Sequence, residues 1–162
     1  MKNADPSNKW TVTMTVLLLL LLFCISCDTQ TIYDETLTIP EDTWASTLPA
    51  YFNVEIDDTL TYNTLYLNVS NTVNYKYQNI YFFITVFLPN GQVARDTVNC
   101  YLANNYGEWY GKGMGNTKTL QFPYRTNFLF PYTGTYKFYI EQAMRDDTLK
   151  GIKAIGLKIA KE

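Results

Sequence analysis

From residue 50 onward, apolar and polar residues alternate in short runs separated by turn-forming residues. A two-residue period of this kind marks half-buried strands. YFNVEI (51–56) alternates cleanly. In TLYLNVS (64–70), Leu65, Leu67 and Val69 share one face, with Tyr66 and Asn68 on the other. NIYFFITVFLP (79–89) is apolar on both faces and reads as a central strand. Asn90-Gly91 follows Pro89 as a hairpin turn signal, and QVARDTVNCYLA (92–103) returns. TKTLQFPY (117–124) and TNFLF (126–130) read as two short, proline-bounded strands. Thr133-Gly134 turns the chain into TYKFYIEQ (135–142), where Tyr136, Phe138 and Ile140 face inward. GIKAIGLKIA (151–160) places Ile155, Leu157 and Ile159 on one face. That makes about eight strands at roughly 8–12-residue spacing. Two sheets packed face to face bury such faces best. The expected fold is all-β, an antiparallel β-sandwich over 50–162, jelly-roll or immunoglobulin-like.

The first 49 residues follow another pattern. Lys2 and Lys9 precede an apolar run from Thr11 to Ser26, 16 residues long. A spanning helix needs about 20, and polar sequence follows at once, so the run reads as a secretory signal. Its end, Cys24-Ile25-Ser26-Cys27, resembles a bacterial lipobox, with the small Ser26 before the acceptor Cys27. The expectation is a cleaved lipoprotein signal peptide (1–26), a lipidated Cys27 and attachment to a membrane through that anchor. Residues 28–49 carry five acids, no base and two prolines, with weak periodicity. Together with Cys27 they read as an acidic tether, 27–49.

Composition narrows the chemistry. The chain has 162 residues and no histidine. That removes Ser-His-Asp and Cys-His catalysis, every histidine-containing zinc site and the usual neutral-pH base. No enzyme, no cofactor and no metal is expected. Net charge is −2 without a long basic run, so nucleic acid is not an expected partner. Once Cys24 leaves with the signal and Cys27 is lipidated, Cys100 stands alone in an alternating stretch, as a buried, inert thiol.

GEWYGKGMG (107–115) holds four glycines around Lys112. Three residues, not four, separate Gly107 from Gly111, and Gly113 replaces the Ser or Thr of a P-loop. The glycines read as a wide turn, displaying Trp109, Tyr110 and Lys112 to a partner. Asp57-Asp58 and Asp146-Asp147 read as turn chemistry. Asp58-Thr59-Leu60, Asp96-Thr97-Val98 and Asp147-Thr148-Leu149 resemble an O-glycan acceptor pattern, with Thr59 and Thr148 nearest the predicted loops. An alternative function is carbohydrate binding on a platform of Trp44, Trp109 and Tyr110.

Several segments together closely resemble the gliding motility lipoproteins of Bacteroidetes, the GldH family. They are Cys27-Asp28, Trp44, NIYFFITVFLPNG, RDTVNCYLANNYGEWYGKGMG and FPYTGTYKFYIEQAMRDDTLKGIKAIGLKI. The resemblance implies an envelope-anchored, non-catalytic accessory of the gliding apparatus and its type IX secretion system. It adds Arg145 to Trp109, Tyr110 and Lys112 as candidate partner-binding residues. The expected site is the outer membrane, facing the periplasm, with other gliding motility or secretion-complex proteins as partners.

Overall fold

The computed structural model describes residues 31–162. Its strands are β1 (Thr31–Thr38), β2 (Thr43–Ala45), β3 (Ala50–Ile56), β4 (Asn63–Thr72) and β5 (Asn79–Phe87). They continue with β6 (Val93–Tyr101), β7 (Thr117–Phe128), β8 (Gly134–Gln142), β9 (Thr148–Lys150) and β10 (Ile152–Lys161). Among the described residues, the helical content is one 3-10 turn, Pro40–Asp42.

Two four-stranded antiparallel sheets form, in the orders β1-β10-β4-β7 and β3-β8-β5-β6, and β2 pairs with β9. Setting the β2–β9 pair aside, only β5 and β6 are consecutive strands joined within one sheet. Every other connection crosses between sheets. Of the two sandwich alternatives, this order is the jelly roll's.

The alternation seen in the sequence is the alternation of burial. Along β3, Ala50, Phe52, Val54 and Ile56 are buried and the residues between them exposed. Leu65, Leu67 and Val69 on β4 meet Ile155, Leu157 and Ile159 of β10 in the same core, as do Tyr136, Phe138 and Ile140 of β8. β5 lies inside its sheet, as its two apolar faces predict. Ile80, Phe82 and Ile84 point into the core. On the outer face the Arg95 guanidinium lies 4.7 Å from the Phe83 ring. Tyr139 packs edge-on against both Phe87 and Tyr51. Cys100 is fully buried, and burial pushes its thiol up to about 12.

Two local expectations need correction. The tether reading of 27–49 fails over its described part. Thr31–Thr38 pairs along β10, and Trp44 on β2 is fully buried. The two strands expected at 117–124 and 126–130 are one strand, β7. Pro123 interrupts nothing because β7 is a sheet edge, where a missing N–H leaves no ladder bond unmade. Register shifts and a left-handed Asn127 (φ 51°) follow further along β7. The hairpin turn expected at Asn90-Gly91 joins β5 to β6. Gly91 donates its N–H to the Leu88 carbonyl at 3.0 Å, so Pro89 and Asn90 are the central residues. Gly91 follows at φ 84°, giving a three-residue hairpin loop with a glycine bulge.

Candidate functional site

Strand direction sorts the connections onto two poles. One pole holds 39–49, 73–78, 102–116 and 143–151, which are cross-linked by backbone bonds. Leu102 donates to Gln78, Val73 to Asn116 and Ser46 to Asp147, at 2.8–3.0 Å. The other pole holds 57–62, 88–92 and 129–133, together with the start of β1 and the end of β10. Trp109, Tyr110, Lys112 and Arg145 all fall at the first pole.

The 102–116 connection carries β6 of one sheet to β7 of the other. Asn104 ties its first half. Its Oδ1 accepts the N–H groups of Tyr106 and Glu108, and its Nδ2 donates to the Glu108 carboxylate at 2.7 Å. Trp109 then bridges back to Ala103. Lys112 exchanges both backbone bonds with Thr119, at 3.0 and 2.8 Å, so this segment lies along the free edge of β7. The glycines follow from that contact. A Cβ on Gly111 would meet the Thr119 backbone at 2.9 Å, and one on Gly113 the Thr117 carbonyl oxygen at 2.4 Å. The loop therefore covers an otherwise unpaired strand edge, and the glycines permit the approach.

Trp109 is half-buried against the core, whereas Tyr110 and Lys112 are exposed beside Met114, which is 93% exposed. Among the described residues no acid pairs with Lys112 or Arg145. Arg145 is exposed on a turn fixed by the buried Gln142. That side chain donates to the Asp146 carbonyl at 2.9 Å and accepts the Met144 N–H at 2.8 Å. Asp146 pairs with Lys76 at 2.6 Å, and this hydrogen bond holds its carboxyl below the ordinary range. The pole thus brings the four candidates to one end of the sandwich, and no hydrogen bond joins Arg145 to the glycine-rich loop.

The carbohydrate platform of Trp44, Trp109 and Tyr110 does not exist. The Trp44 ring is in the core against Phe82, and its Nε1 donates to the Leu48 carbonyl at 2.6 Å. Thr148 is exposed on β9, while Thr59 is half-buried at the other pole. Cys27 and residues 1–26 lie outside the described residues.

One cluster carries no signal in the sequence. Where the edge strands β6 and β7 face each other, the Asp96 carboxylate accepts from the Tyr124 hydroxyl and the Arg125 guanidinium. These bonds hold the Asp96 carboxyl low, the Tyr124 bond most. Burial, helped by Asp96, pushes Tyr124 up to about 12. Beneath them lies an apolar cavity of about 120 Å³ lined by Leu65, Val86, Phe128 and Phe130. The cluster clasps the two sheet edges together.

A family profile described as GldH lipoprotein matches residues 31–159. A protein of Christiangramia forsetii named gliding motility lipoprotein GldH homolog is 34% identical over 144 residues, covering 84% of this chain and 87% of that one. Gliding motility lipoprotein GldH of Flavobacterium johnsoniae is 28% identical, covering 89% of this chain and 93% of that one. Among solved structures, dimeric latent PorU from Porphyromonas gingivalis superposes with a TM-score of 0.32 at 7% identity, over 85% of this chain and 13% of PorU. The profile match over nearly all the described residues, and two relatives matched over most of their length, place this chain in the GldH family of gliding motility lipoproteins.

Proposed function

We propose that this chain is a non-catalytic accessory of the gliding motility and type IX secretion machinery, lipid-anchored at Cys27 in the outer membrane and facing the periplasm. The observation that carries the reading is the separation of the two poles. Thr31 pairs with Ala160, at the pole opposite Tyr110 and Lys112. Residues 28–30 alone separate Thr31 from Cys27. At ~3.3–3.6 Å per residue, Cys27 lies within roughly 15 Å of the first strand. The ten-residue β10 spans the sandwich over roughly 30 Å. An anchor at one pole therefore holds Tyr110, Lys112 and Arg145 away from the bilayer, where a protein partner can reach them. Tyrosine and arginine are the residue types that dominate binding hot spots. In the same reading the exposed Thr148 is the better O-glycan acceptor, and Thr59 the poorer.

The test is a crosslinked pull-down of the lipidated protein from its own envelope, read by mass spectrometry. Gliding or secretion components should be enriched. Tyr110→Ala and Lys112→Ala should each reduce that enrichment without changing the protein's abundance. Enrichment of glycan-uptake proteins instead, or of none, would overturn the reading.

A further inference from the structure

The pole at which β1 begins carries an apolar surface that a lipid anchor alone does not account for. Loops 57–62, 88–92 and 129–133 meet there, with Thr59, Pro89, Asn90 and Tyr132 around one recess. Leu60, Tyr62, Pro89, Leu129, Pro131 and Tyr132 are all exposed on this end, Leu60 at 88%. Single exposed apolar residues are ordinary. Six gathered at one end of a small domain form a patch of the kind that marks an interface.

The patch is held rigidly. Asp58 accepts the N–H groups of Leu60 and Thr61, the Thr61 hydroxyl at 2.6 Å and the Lys161 ammonium at 3.1 Å. That turn pushes Leu60 outward. Tyr132 is fixed by a reciprocal pair with Tyr136, its N–H donating to the hydroxyl at 3.1 Å and its carbonyl accepting at 2.9 Å. Nearby charges are mostly satisfied within the fold. Asp58 pairs with Lys161, and Glu162 accepts from the Thr64 hydroxyl and the Asn127 N–H. Among the described residues, the pole offers no basic cluster for anionic lipid.

We propose that this pole seats in the bilayer that holds Cys27, with Leu60 entering the boundary between headgroups and acyl chains and Tyr62 and Tyr132 at headgroup level. The proposal rests on the anchoring at Cys27 inferred above. The three residues between Cys27 and β1 leave this end, and not the other, within reach of the membrane. Apolar side chains that lie in the interface add to an acyl anchor, and tyrosines are enriched at that depth. Contact at two places, anchor and loops, fixes how the domain stands, where an anchor alone would let it swing.

The experiment uses the lipidated chain in phosphatidylcholine vesicles. A nitroxide label is placed at Leu60→Cys or Tyr132→Cys, with Met114→Cys as the control at the far pole. Cys100 is buried and takes no label. The ratio of collision rates with oxygen to those with a water-soluble nickel chelate should be several-fold higher at 60 and 132 than at 114. Equal ratios at all three positions, with lipid on Cys27 confirmed by mass spectrometry, would overturn the proposal and leave the anchor standing. Absence of lipid on Cys27, with no protein floating with the vesicles, would overturn both.

Discussion

Replacing Trp44 by alanine tests whether the acidic N-terminal stretch belongs to the fold. The ring is 0% exposed, 6.0 Å from the Phe82 ring, and its Nε1 donates to the Leu48 carbonyl. Truncating a buried Phe or Trp costs roughly 3–5 kcal/mol. The lost hydrogen bond adds under about 1 kcal/mol, because Leu48 is exposed and water can replace the indole. Against a domain stability of about 5–15 kcal/mol, this is roughly a fifth or more. With a urea slope of about 1–3 kcal/mol per molar, the midpoint should fall by roughly 2 M. The assay is urea unfolding followed by far-UV circular dichroism, on residues 27–162 carrying Cys27→Ser. Trp44→Phe keeps most of the ring and should cost less. A loss for Trp44→Ala near 0.5 kcal/mol, the value for a solvated tether, would refute the placement of β2 in the core.

The glycine-rich loop makes a paired prediction. Gly113→Ala puts a Cβ 2.4 Å from a backbone oxygen at φ +156° and should cost about 1–3 kcal/mol. Gly91→Ala meets nothing within 4 Å and should cost only the left-handed penalty of about 1 kcal/mol; thermal melts should separate the two. Asp96 has its carboxyl held low in the fold, so its stabilisation is present above the ordinary carboxylate pKa and fades as pH falls through the native value. Asp96→Asn should therefore be less stable than the parent at pH 7, by under about 1 kcal/mol at this partly exposed pair. That gap should close in acid, and a gap independent of pH would count against the clasp. Cys100 should resist a thiol reagent in the native protein and react fully in denaturant, and rapid native reaction would contradict its burial.

Legibility in the sequence tracked how local each cause is. β3, β4, β8 and β10 each carry several alternating core residues, and their inward sets are those the alternation predicts. β1 was masked by its position. As an edge strand it keeps its acids Asp34 and Glu35 in water and offers the core the partly buried Ile32, Tyr33 and Leu37. β2 and β9, three residues each, are too short to show a period, and each gives the core one residue, Trp44 or Leu149. At the loop pole, the glycine cluster was legible as a turn. The reason for Gly111 and Gly113 was not, because it lies in contacts with Thr119 and Thr117 across the β7 edge. Residue type alone also fails to say which tryptophan faces water. Trp44, on β2 paired with β9, is enclosed, and Trp109, bridged to Ala103, is half-covered.

The polarity on which the functional reading depends is a consequence of topology. In the jelly-roll order every strand is antiparallel to its sheet neighbours, so the direction of β1 along β10 decides which pole the N-terminus leaves from. β1 starts beside the end of β10, and the loops that share that end are 57–62, 88–92 and 129–133. The short β2 and β9 are inserted at the other end, where they close the core with Trp44 and Leu149. Loops of the far pole can therefore change in length or residue type without moving the start of β1. A change that unpaired β1 from β10 would free eight residues of chain, lengthening the link from Cys27 by about 26 Å at ~3.3 Å per residue. On the proposed anchoring, it would also detach the pole that carries Leu60 and Tyr132 from the lipid at Cys27.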